Sequence, residues 1–87
     1  MTLLIRQLER ADVAPMVAAF AALGWDKPAS LYERYLAEQS AGARVVHVAL
    51  VDNSVFAGYV TVLWQSHYPP FREAGIPEVN DFNVLPP

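Results

Sequence analysis

Apolar and polar residues alternate from Leu3 to Leu8 around Arg6, the period of a half-buried strand. The period then lengthens. Val13, Met16, Val17, Phe20 and Leu23 fall on one stripe of a helix. Asp12 is the expected N-cap, because it places Pro15 in the first turn, where a missing N–H costs nothing. Gly24 is the expected left-handed stop. After the linker Trp25–Ala29, the run Ser30-Leu31-Tyr32-Glu33 has the form of a capping box. It opens a second helix that carries Leu31, Tyr35 and Leu36 inward and ends near Gly42.

Two runs rich in β-branched residues follow, Arg44 to Val51 and Val55 to Trp64. Joined by Asp52-Asn53-Ser54, they predict an antiparallel hairpin. Gly58 inside the second run predicts a bulge or a close backbone approach. Gln65 to Pro77 contains paired prolines and Gly75 and reads as a loop, with one helical turn at Phe71 to Ala74. A last strand runs from Glu78 to Val84, closed by Pro86 and Pro87, neither of which can donate to a ladder.

The order strand, helix, helix, strand, strand, strand resembles the first half of the GNAT superfamily of N-acetyltransferases. Val55-Phe56-Ala57-Gly58-Tyr59-Val60 is similar to that family's third strand, and Asn80-Asp81-Phe82-Asn83-Val84-Leu85-Pro86 to its fourth. The resemblance implies an α+β fold: a GNAT-like N-terminal lobe with a mixed, mainly antiparallel four-stranded sheet packed on two helices. It also implies one domain over residues 1–87, incomplete at its C-terminus, since the family's pyrophosphate loop and its tyrosine general acid would follow Pro87. Tyr59 and Tyr68 do not occupy that acid's motif.

The activity implied is acetyl transfer from acetyl-CoA to a small-molecule or protein amine, with this chain alone inactive and binding acetyl-CoA weakly or not at all. A non-catalytic oligomerisation or interaction module built on the same fold is the alternative. By position, the backbone of Phe82 and Val84 would hold the pantetheine arm as an added strand. Glu78 and Asp81 are the candidate general bases, because transfer needs the amine nitrogen deprotonated. Simple strand alternation puts them on opposite faces unless a bulge intervenes. Trp25 and Tyr32 are candidate acceptor-pocket walls, with Tyr68 and Phe71 in the long loop, and such walls would suit an acceptor with an apolar body.

Composition narrows the classes further. Of the 87 residues 54% are hydrophobic and 17% charged, against about 25% charged for typical soluble domains. So much apolar surface on so short a chain predicts that it shares its core with further residues or with a second copy. The last strand, as a free sheet edge, is the expected seam of a homodimer. A net charge of −3 with six scattered basic residues argues against nucleic acid. No cysteine is present, which removes disulfides, thiolate metal sites and a Cys nucleophile, and His47 and His67 have no ligand spacing, so no metal is expected. The longest apolar run, Met16 to Leu23, is too short for a bilayer, and the N-terminus has no signal-peptide pattern. The expectation is a cytoplasmic protein with no membrane contact.

Overall fold

The structure is a computed structural model, and it describes residues 1–86. Pro87, one of the two prolines expected to close the last strand, lies outside the described residues. Strand β1 (Leu3–Gln7) leads through a 3-10 turn (Arg10–Asp12) into helix α1 (Val13–Ala21) and then α2 (Ala29–Ser40). Strands β2 (Arg44–Val51) and β3 (Val55–Leu63), the short helix α3 (Pro69–Ala74) and strand β4 (Glu78–Val84) complete the α+β fold. The sheet order is β1-β2-β3-β4.

All three pairings are antiparallel, so the sheet is not mixed. The reason is local: the Leu8 N–H bonds to the Val46 carbonyl at 2.9 Å, so β2 begins beside the end of β1 and must run back along it. The β2–β3 turn is closed by Ser54 N–H to Val51 O at 3.2 Å. Asp52 (φ 53°) and Asn53 (φ 64°) occupy its centre, and positive φ at both central residues is what a mirror-image hairpin turn requires.

Helix α1 lies over β3 and α2 over β2. Alternation along β2 turns Arg44, Val46, Val48 and Leu50 under the helices. Together with Leu8, Val13, Met16, Phe20, Tyr32, Tyr35 and Tyr59 they form the core. The second helix buries Tyr32 as well as Tyr35, while Leu31 and Leu36 pack at the margin. Both expected caps act differently. Asp12 precedes α1 but makes no side-chain cap bond; its carboxylate instead takes two bonds from the Arg6 guanidinium, at 2.7 and 2.8 Å, and one from the Glu9 N–H. Helix α2 starts at Ala29 behind Pro28, so Ser30 lies inside the helix and caps nothing.

The other sheet face carries no helix among the described residues. Leu3, Ile5, Val79, Phe82 and Val84 are each more than half exposed there. Ala49, His47 and Val60 complete a shallow apolar hollow of about 310 Å³ on that face.

Candidate functional site

Two irregularities in the sheet shape its β4 side. At the first, Ala49 opposes Gly58 and Leu50 opposes Phe56, leaving Ala57 without an opposite residue. Gly58 also answers a close approach: a Cβ on it would lie 2.6 Å from the Asn83 carbonyl oxygen and 3.1 Å from the Val84 Cα. The close approach expected as one of two alternatives for this glycine is present, and the bulge falls on its neighbour Ala57. At the second, Val62 opposes Val79 and Val60 opposes Phe82, so Thr61 faces both Asn80 and Asp81. Asp81 takes up the extra residue in the left-handed region, at φ 68°.

This bulge decides which side chains share a face. Without it, Glu78 and Asp81 would point apart. With it, both hydrogen-bond to residues on the helix-covered side: Glu78 to Ser66 and Asn80, Asp81 to Tyr35 and Tyr59. Val79, Phe82 and Val84 are left on the open face. The Thr61 hydroxyl donates to the Asn80 carbonyl and accepts from the Arg44 guanidinium, which fixes the bulge from below.

Asp81 Oδ2 accepts from Tyr59 OH at 2.6 Å and from Tyr35 OH at 2.7 Å, and Oδ1 accepts from Asn83 Nδ2 at 2.6 Å. Lys27 Nζ stands 3.7 Å from Oδ1. Burial pushes this carboxyl toward the neutral form, but the two tyrosine hydroxyls, Lys27 and Asn83 outweigh it, so its pKa lies below the ordinary aspartate value. Glu78 Oε1 accepts from Ser66 Oγ at 2.6 Å and Oε2 from Asn80 Nδ2 at 3.0 Å, and those bonds likewise lower its pKa. Both carboxylates are therefore held in their charged form.

The tyrosines respond in the opposite sense. Burial, followed by the bond to the Asp81 carboxylate, pushes Tyr35 up to about 12 and raises Tyr59 as well. A folded-state pKa above the unfolded value stabilises the fold below the unfolded pKa, about 10. That stabilisation is lost as pH rises through the folded value. Urea unfolding measured across pH 9 to 12 is accordingly expected to show stability falling above about pH 10. The Tyr35→Phe, Tyr59→Phe double variant should flatten the decline. An equally steep decline in that variant would remove these two phenols as its source.

The remaining candidates separate clearly. Tyr32 is fully buried, and its hydroxyl meets that of Tyr59 at 3.4 Å, so it offers no surface to a ligand in this conformation. Trp25 is 42% exposed and stacks on Phe20 with ring centroids 5.6 Å apart, beside a groove of about 300 Å³ lined by Val17, Ala21, Gly24, Lys27 and Pro28. Tyr68 and Phe71 pack edge to face at 5.0 Å, remote from Trp25 in the chain and exposed.

Phe82 and Val84 present backbone as well as side chains. The Leu85 N–H bonds to the Ala57 carbonyl at 2.8 Å. Antiparallel ladders alternate, so Leu85 and Asn83 bond inward and the N–H and C=O of Phe82 and Val84 point to the outer edge. No further strand pairs there among the described residues.

Sequence reading missed Arg44, Thr61, Tyr35 and Lys27 as members of this network. Arg44 is 3% exposed, bonds Glu38 and Asn80 at 3.2 and 3.1 Å, and lies 4.3 Å over the Tyr35 ring. The one available signal was an arginine heading a strand that is apolar apart from His47 and rich in valine. Among the described residues, no helix is long and apolar enough to cross a membrane and no group of three or more acidic or histidine side chains could hold a metal. Neither a protein-family model, nor a curated protein, nor a solved structure matches this chain.

Proposed function

We propose that the chain forms the N-terminal lobe of an acetyl-CoA-dependent N-acetyltransferase of GNAT type, with a small-molecule or protein amine as acceptor. The observation that carries this reading is the β4 bulge. It brings Asp81 to the helix side while the adjacent Phe82 and Val84 keep their backbone groups on an unpaired edge. A pantetheine arm is an extended chain of amides and fits such an edge as an added strand. Acetyl-CoA would supply the activated acyl group, and Phe82 and Val84 would hold its arm.

On this reading Asp81 faces the amine. Its Oδ1 is the oxygen nearest a cation, whereas both oxygens of Glu78 are occupied by Ser66 and Asn80. A carboxylate with a lowered pKa holds an ammonium well and accepts a proton poorly. Asp81 is thus better suited to position the amine than to deprotonate it alone, and a water between the two would carry the proton. Trp25 forms the apolar side of the acceptor site, in the loop between the first two helices.

A second reading, homodimerisation through the last strand, is favoured by the same unpaired edge and by the exposed apolar residues beside it. One experiment separates the two. Amide NMR spectra would be followed in a titration with acetyl-CoA at fixed protein concentration, and then in a dilution series without it. For the acetyltransferase lobe, the Phe82 and Val84 amides are expected to shift with acetyl-CoA at an affinity near 1 mM, about −4 kcal/mol. Saturable shifts confined to residues away from β4 would overturn it. Shifts of those amides with protein concentration alone would select the dimer, and Val84→Pro would then remove an outward donor from the seam without touching the β3 ladder.

A further inference from the structure

The loop between α1 and α2 carries a lysine whose ammonium occupies a distinctive position. Lys27 Nζ lies 3.7 Å from Asp81 Oδ1 and 5.6 Å from the centroid of the Phe20 ring. The Lys27 and Asp81 side chains are each 21% exposed, so this pair sits at the margin of the core, within reach of solvent. Phe20 has no exposure of its own, and Trp25 stacks against it. A carboxylate beside aromatic faces is the chemistry that recognises an organic ammonium.

The fit of Lys27 in that position is incomplete. Charge-assisted hydrogen bonds run at about 2.7–2.9 Å, and 3.7 Å is too long for one. Asp81 Oδ2 is filled by two tyrosine hydroxyls, and Oδ1 has one bond, from Asn83, with acceptor capacity remaining. Lys27 is the sole cation within 4.0 Å of Asp81 among the described residues. It is tethered to the backbone between Asp26 and Pro28 and stands just short of contact. A ligand without that tether could close the gap. The groove along Trp25, Gly24 and Pro28, which Lys27 also lines, gives the lysine somewhere to move.

We infer that Lys27 is a tethered occupant of a primary-ammonium site built from Asp81, Phe20 and Trp25, and that a free primary ammonium on a small apolar body displaces it. The ligand's charge takes Asp81 Oδ1, and its body takes the place of the lysine stem over Phe20 and against Trp25. The inference deepens the amine-acceptor reading and rests on it for the ligand's fate. Binding itself is independent of acetyl transfer and is measured without acetyl-CoA, so the two can fail separately.

The test is calorimetric and NMR titration of the 87-residue chain with n-butylammonium, and with n-butanol as its neutral counterpart. Butylammonium is expected to bind saturably and to shift the Lys27 side-chain and Asp81 resonances, while butanol leaves them unmoved. Lys27→Met should tighten butylammonium binding about tenfold, the change expected if the lysine leaves the site open about a tenth of the time. Asp81→Asn should weaken binding at least tenfold. Equal binding of butanol, no binding of butylammonium, or a Lys27→Met variant that binds no better than the parent would each overturn the inference. If Asp81→Asn does not fold, the butanol comparison and Lys27→Met still decide it.

Discussion

Arg44→Ala is expected to destabilise the protein by about 3–5 kcal/mol, the range for breaking a buried charged network by removing one partner. The guanidinium is almost wholly buried at the head of β2. It bonds Glu38, Thr61 and Asn80 and covers the Tyr35 ring. Its loss removes a donor from each of three groups and opens a hole beneath the β4 bulge, whose Asn80 carbonyl Thr61 holds. At roughly 0.05–0.15 kcal/mol per residue, a chain this size has total stability of about 4–13 kcal/mol, so the loss is a large fraction. Arg44→Lys should recover little, because an ammonium cannot reach three acceptors in one plane and stack on a ring together. Urea unfolding of both variants checks this. A cost below about 1 kcal/mol for Arg44→Ala would show the network to be incidental.

Phe20→Ala should be comparably severe, at about 3–5 kcal/mol. Phe20 is fully buried where α1 crosses β3. Its ring contacts Trp25 in a stack and Phe56 and Tyr59 edge-on, with centroids 5.6 to 5.8 Å apart. Those neighbours come from two separate segments, the loop after α1 and strand β3, and neither can move in far enough to fill the cavity alone. Chemical denaturation measures the loss, and Trp25 emission should shift to the red as its stacking partner disappears. A cost under about 2 kcal/mol would mean that the cluster relaxes around the gap.

The backbone plan was largely legible from sequence because its signals are local. The β-branched runs of β2 and β3, the Asp52-Asn53-Ser54 connection and the span of β4 each depend on a few adjacent residues, and the structure has them as expected. Where reading failed, a distant partner had claimed the residue. Asp12 has the right position for a cap, but Arg6 takes its carboxylate. Ser30 fits a capping box, yet the helix already begins at Ala29, with Pro28 in the N-cap position. Tyr32, placed by sequence near an acceptor, belongs to the core, because its i, i+3 spacing sets it beside Tyr35 on the buried stripe with its ring edge-on to Tyr59.

The site was half legible. Glu78 and Asp81 could be picked as the acids of β4, but their common face depends on a single residue entering the left-handed region. Aspartate tolerates that conformation better than most residues, without requiring it. Nothing in Asn80-Asp81 announces it, and the cause lies across the sheet in Thr61 and Arg44. Lys27 was invisible for a similar reason: in sequence it is a polar residue of a linker.

The topology also sets an expected order of assembly. β2 and β3 are joined by a tight turn and need close only a short loop to pair. β1 meets β2 across the whole two-helix insertion, with Leu3 opposite Val51 and the Thr2 N–H held by Asp52 at 2.9 Å. The entropy of closing that large loop is lost before any β1 contact compensates for it. The central hairpin is thus the natural nucleus, and the first strand docks after the helices have formed. By the same asymmetry β1 is expected to detach before the central hairpin opens, fraying from its exposed Leu3 end.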